Sequence, residues 1–142
     1  MGLLTRDVER RILKWVLVDQ LDTSIVLTHP IVVRLMGTNG DATNAGVEIV
    51  GDTYVEADSE WTESTTTPGV EFVNAIDISF NSLSSANSVS VAGAELWDSS
   101  EPPVRVGYAT FTSPVIVPTG EPFTVGAGQL KVHLSLCPFR LG

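Results

Sequence analysis

The chain has 142 residues, 43% of them hydrophobic and 18% charged, which gives it the length for one core and enough apolar surface to offset ordering entropy. A net charge of −9 argues against a nucleic-acid surface, which needs clustered Lys and Arg, and no run of eighteen apolar residues suggests a membrane span. Residues 1–7 lead into charges instead of a signal-like apolar stretch, and the single Cys137 allows neither an intrachain disulfide nor a zinc site with two sulfur ligands.

The first element is the only helix the pattern predicts, from Thr5 to about Val18. Thr5 can cap it, Asp7 and Glu9 fall in the first turn where the dipole favours anions, and Val8, Ile12, Trp15 and Val16 recur at helical spacing, with Leu13 and Leu17 widening the stripe. Charge is concentrated here. Residues 1–14 hold Arg6, Arg10, Arg11 and Lys14 against Asp7 and Glu9, a net of +2, which leaves −11 on residues 15–142. A basic arm over residues 1–20 therefore precedes an acidic body over residues 21–142.

From residue 23 onward the helical period gives way to short strand-like runs bounded by turn formers. Residues 31–36 form a strand candidate that ends in the turn cluster 37–41, and residues 47–50 form a short one. Over 54–61, Val55, Ala57, Ser59 and Trp61 alternate with Tyr54, Glu56, Asp58 and Glu60, and a polar loop follows over 62–69. Residues 70–80 read as one strand that turns Ile76, Ile78 and Phe80 to the same side. Residues 89–91 and 94–97 are two strands or one bent at Gly93, residues 98–103 break the pattern, and 104–112 is the next strand. Pro114, Pro118 and Pro122 place the following region along a sheet edge. Gly126 to Gly128 form a tight turn, and 130–136 alternates strictly. The expected fold is all-β, an antiparallel sandwich or jelly-roll-like barrel with one N-terminal amphipathic helix.

Candidates for chemistry are few. Glu56, Asp58 and Glu60 share a strand face, but no calcium-loop pattern accompanies them, and a solvated face is the simpler reading. His29 and His133 are the only histidines. With no Gly-x-Ser-x-Gly elbow in the sequence, they read as surface or turn residues, and Cys137 as an inert thiol. Neither catalytic residues nor a cofactor or metal site is expected. Trp61, Trp97 and Tyr108 would line a sugar site if they shared an exposed face, in a carbohydrate-binding or hydrolytic β module; core packing is the alternative. The helix either packs on its own body or docks on a partner with an acidic surface. In the second case Arg6, Arg10, Arg11 and Lys14 supply steering and Trp15 an anchor. Its small net charge and the acidic body argue against a membrane surface.

Several motifs in the last third carry a family likeness: residues 94–98 (Ala-Glu-Leu-Trp-Asp), 107–111 (Gly-Tyr-Ala-Thr-Phe) through Val115, 118–123 (Pro-Thr-Gly-Glu-Pro-Phe) and 126–130 (Gly-Ala-Gly-Gln-Leu). Weaker echoes lie in residues 8–18, 45–49 and 51–54. In this the chain resembles small accessory proteins of tailed-phage virions, described as tail-fibre-like or head-decoration proteins. Similar proteins carry Pro where this chain has Gly126. The resemblance implies a non-enzymatic virion protein, synthesised in the host bacterial cytoplasm, that binds the major capsid protein or tail proteins and also other copies of itself, with a trimer as one arrangement. A capsid decoration or cement role is the first expectation, and a tail-fibre role in host contact is the second.

Overall fold

The computed structural model describes residues 2–18, 27–64 and 71–133. In chain order the elements are β1 (Gly2–Leu4), α1 (Arg6–Val18), β2 (Ile31–Thr38), β3 (Val47–Glu48), β4 (Ala57–Ser59), β5 (Trp61–Glu63), β6 (Glu71–Asn74), β7 (Ile78–Phe80), β8 (Val89–Trp97), β9 (Arg105–Val117), β10 (Phe123–Val125) and β11 (Lys131–His133). The all-β expectation is met, with α1 the one helix among the described residues.

The main sheet runs β3-β2-β8-β9-β1-β11-β6-β5, with β4 also paired to β2. All neighbours are antiparallel except β1 and β11. β4 and β5 are separated only by Glu60, yet β4 pairs with β2 at one end of the sheet and β5 with β6 at the other. The run 57–63 therefore passes from one edge to the other and closes the sheet into a barrel, leaving fewer open edges than a flat sheet would. The Ala75 amide, donating to the Glu60 carbonyl at 2.7 Å, holds the corner.

Inside the barrel, Val33, Leu35, Val91 and Ala94 are almost fully buried, the last two on the same side because the register shifts between Val91 and Gly93. A register shift between Leu96 and Trp97 sets Leu96 opposite Gly107 but Trp97 opposite Arg105. This bulge leaves Val106 as the extra residue and brings it into the core cluster. A second sheet, β7 with β10, carries Phe80 and Phe123 onto that core, where Tyr54, Phe80, Phe123 and Phe111 follow one another at ring separations of 6.1 to 6.4 Å.

The structure corrects several sequence expectations. Residues 70–80 are not one strand, because the chain leaves the ladder after Asn74, whose Nδ2 donates to the Ile76 carbonyl at 2.9 Å. Ile76 is consequently exposed while Ile78 and Phe80 are buried. Residues 89–97 form one strand whose register shifts next to Gly93, the second of the two readings the sequence offered. β9 runs on through Pro114, because four residues, 111–114, bulge opposite Ala92 and a proline there withholds no ladder hydrogen bond. The expected strand 130–136 is described only as far as His133, and most of the 62–69 loop and Cys137 lie outside the described residues.

Gly93 marks a close backbone approach in the barrel wall. A Cβ there would overlap the Ala109 carbonyl oxygen and the Asn39 side-chain oxygen. Gly93→Ala is expected to cost about 2 kcal/mol through the forced shift of β9, measured by urea unfolding.

Candidate partner-binding site

Strand β1 sets the start of the helix. Gly2–Leu4 lies between β9 and β11, antiparallel to the first and parallel to the second. The chain then turns at Thr5, which is buried. The Thr5 amide donates to the Val106 carbonyl at 2.9 Å and its hydroxyl to the Arg105 carbonyl at 2.9 Å, while the hydroxyl oxygen accepts from the Val8 amide at 3.5 Å. The cap expected at Thr5 is thus formed, and the same side chain bolts the helix base to the barrel.

A second anchor comes from the β2–β3 connection. Residues 39–46 fold back over the outer face of β8 and β9, and the Ala42 carbonyl accepts from the Arg6 amide at 3.0 Å. Glu95 holds this connection in place. The residue is 1% exposed, and its carboxylate accepts from the Gly46 amide at 2.8 Å, from Arg105 Nη1 at 3.1 Å and from Trp97 Nε1 at 3.3 Å. Arg105 in turn donates to the Asp41 carbonyl at 2.6 Å.

Asp41 caps the connection. Its carboxylate accepts from the Thr43 and Asn44 amides, which hold its pKa down from 3.8 to about 2. At Asp98 burial pushes the carboxyl up, but the Ser100 hydroxyl and the amides of Val104, Thr28 and Ser100 outweigh it and leave the pKa below its ordinary value. A carboxylate lowered by folding adds stability above its unfolded pKa and loses it as pH falls through the folded one. The melting temperature is therefore expected to fall as pH drops from 3.8 towards about 2. A flat thermal-melt profile across that window would contradict these bonds.

One side of the first two helical turns faces the body. Val8 is buried, and Ile12 lines an apolar cavity of about 390 Å³ at the barrel mouth together with Leu4, Ile31, Trp61, Leu96 and Val132. Leu13, Trp15, Val16 and Leu17 are instead 49% to 74% exposed. The stripe read from the sequence thus splits. Its Val8–Ile12 part serves the chain's own barrel, and the rest faces solvent.

The five residues expected to bind a partner are placed accordingly. Arg6, Lys14 and Trp15 are exposed. Arg10 and Arg11 both reach Asp7, each at 2.8 Å, with Arg10 largely exposed and Arg11 mostly covered. Asp7 thus draws two of the four cations together and offsets part of their charge, an i,i+3 and i,i+4 arrangement already legible in the spacing.

Other candidates resolve differently. Glu56, Asp58 and Glu60 are exposed, as a solvated strand face predicts, and Glu56 accepts from Arg34 at 2.7 Å. Trp61 lines the cavity inside the barrel, whereas Trp97 lies under the Arg34 guanidinium at 4.6 Å and donates to Glu95 on the outer face. Trp61 thus shares no face with Trp97, contrary to what the three-aromatic sugar site required. His29 is exposed, but His133 is not the surface residue expected: its Nδ1 lies 3.4 Å from Glu71, and its Nε2 is buried with no hydrogen-bond partner among the described residues. Among the described residues, no group of three or more His, Asp or Glu side chains is placed to hold a metal ion.

A family model described as Podophage GP4 fiber I protein gp80 matches residues 9–133, from the first turn of α1 to the end of β11. The chain belongs to this family. Membership makes it a structural, tail-fibre-like accessory protein of a phage virion. No curated protein matches the chain. The matched span takes in the whole barrel wall except β1, together with the half of α1 that faces solvent. No helix among the described residues is long and apolar enough to cross a membrane.

Proposed function

We propose that this protein is a non-enzymatic component of a podophage tail fibre, held to its neighbours in the particle through helix α1. The observation that supports the fibre reading is the match of residues 9–133 to a podophage fibre protein family, which fits a fibre role better than a capsid-decoration role. Support for α1 as the attachment element is physical. Its base is fixed by Thr5 and Ala42, while its outer half presents Leu13, Trp15 and Leu17 beside Arg10 and Lys14 to solvent. An apolar anchor with basic flanks suits an acidic partner surface, where the charges steer and the apolar side chains hold. Arg6 and the Asp7-paired Arg11 complete the basic flank.

Synthesis in the host cytoplasm followed by assembly of several copies into the particle fits this role. Immunogold labelling of purified particles tests it, together with copy number from quantitative mass spectrometry. Label on the tail at a fibre-like copy number is expected, whereas label over the head at the copy number of the shell lattice would move the protein to capsid decoration. For the arm, a Lys14→Glu, Trp15→Ser double variant with unchanged circular dichroism is expected to be lost from particles. Normal incorporation of that variant would remove α1 from the attachment role.

A further inference from the structure

We infer that the partner of α1 is a second copy of this chain, whose acidic edge around β3 and β4 receives the exposed helix ridge. The inference rests on the attachment reading of α1 and names what α1 grips.

The donor surface follows from helix geometry. At roughly 100° per residue, Leu13 and Leu17 fall on the side turned away from Val8, with Val16 about 80° round from Val8; Arg6, Arg10 and Lys14 lie beside Leu17, and Glu9 lies between Val16 and Leu13. All three apolar side chains are more than half exposed, at 56%, 74% and 63%. A helix face of this kind is normally covered.

The acceptor surface lies on the same chain. Val47, Val50 and Val55 are 63%, 92% and 72% exposed, the last two flanking a turn closed by the Tyr54 amide on the Gly51 carbonyl at 3.3 Å. This turn joins β3 to β4, both of which pair with β2. Residues 47–63 contain six acidic and no basic residues. An apolar patch with an acidic border thus matches an apolar ridge with a basic border. Both are open at once in a single folded chain, so the ridge of one copy can meet the edge of another. Pairing helix to helix would bring like charges together, so the charge pattern selects contact between unlike surfaces. That contact is heterologous, and it propagates as a ring or a filament.

The test uses the full chain in solution, apart from any particle. By sedimentation velocity the wild type is expected to self-associate with rising concentration and to dissociate in high salt, which screens the charged border. Leu13→Glu with Leu17→Glu should abolish association, and so should Val50→Lys with Val55→Lys. Circular dichroism should be unchanged in both, since all four positions are exposed. The deciding step is to mix the two monomeric variants. The first keeps an intact acidic edge and the second an intact helix, so a one-to-one heterodimer that stops at two chains is expected. A monomeric wild type at every attainable concentration overturns the inference, as does a mixture that stays monomeric. Neither result touches the particle-incorporation test, so α1 could still be shown to attach to a different virion protein.

Discussion

Replacing Glu95 by alanine is expected to destabilise the protein by about 3–5 kcal/mol, the range seen when one partner of a buried ion pair is removed. Glu95 and Arg105 side chains are 2% and 9% exposed, and the carboxylate also accepts from the Gly46 amide and the Trp97 indole. Truncation leaves the guanidinium with the Asp41 carbonyl and no buried counter-charge, and it orphans the Gly46 amide as well. The consequence extends beyond stability. Glu95 pins residues 41–46, and the Ala42 carbonyl of that segment accepts from the first amide of α1. Urea unfolding should therefore show a large loss, and hydrogen exchange should show early opening of the helix base. Glu95→Gln keeps an acceptor for Gly46 and should fall between wild type and alanine. The double variant Glu95→Ala, Arg105→Ala should cost less than the two single changes added together, because it leaves no unpaired charge. A loss below about 1 kcal/mol for Glu95→Ala would put this pair in the class of surface ion pairs, contrary to its burial.

Much of this architecture was legible in the sequence, and the parts that were not have physical reasons. Thr5 as cap and the helical spacing from Val8 fixed the helix to within a residue, because both signals are local. β1 was missed: Gly2–Leu4 has no alternation, and it is a strand only because β9 and β11 leave a slot for it. The alternation over 54–61 gave the correct faces for Ser59 and Glu60, but nothing local shows that the run reaches from β2 to β6 and closes the barrel. Val106 faced the core through a bulge, and Ile76 faced solvent because Asn74 captures its carbonyl; both depend on partners distant in sequence.

The site divides along the same line. Its cations and Trp15 could be read from residue type, whereas the split between a covered Val8–Ile12 stripe and an open Leu13–Leu17 stripe could not, since periodicity gives a face without saying what lies against it. Glu95 was visible only as part of a family-like motif, because its cross-strand neighbours Arg34 and Tyr108 and its ion-pair partner Arg105 come from other segments. Composition and patterning supported a β module. The virion role came from resemblance, and the family match now carries it.

Asn74 provides the second large effect, at the end of β6. It is 1% exposed, and its Nδ2 donates to the Ile76 carbonyl at 2.9 Å and the Gly126 carbonyl at 3.0 Å, while its Oδ1 accepts from the Leu130 amide at 2.9 Å. Its own amide donates to the Leu130 carbonyl, and its carbonyl accepts from Gly128. One residue thus fastens the turn at 126–130, which links the small sheet to the barrel wall, onto the corner between β6 and β7. Asn74→Ala removes three hydrogen bonds at once and leaves the buried Leu130 amide unsatisfied, so a loss of about 3 kcal/mol is expected in urea unfolding. Asn74→Asp separates the contributions. It retains an acceptor for the Leu130 amide but loses both donors, and it brings a carboxylate against two carbonyl oxygens. Its penalty should therefore shrink at acid pH, where the protonated acid can donate again. A penalty for Asn74→Asp that does not depend on pH would mean that the two carbonyl contacts contribute little and that the Leu130 amide alone holds the turn.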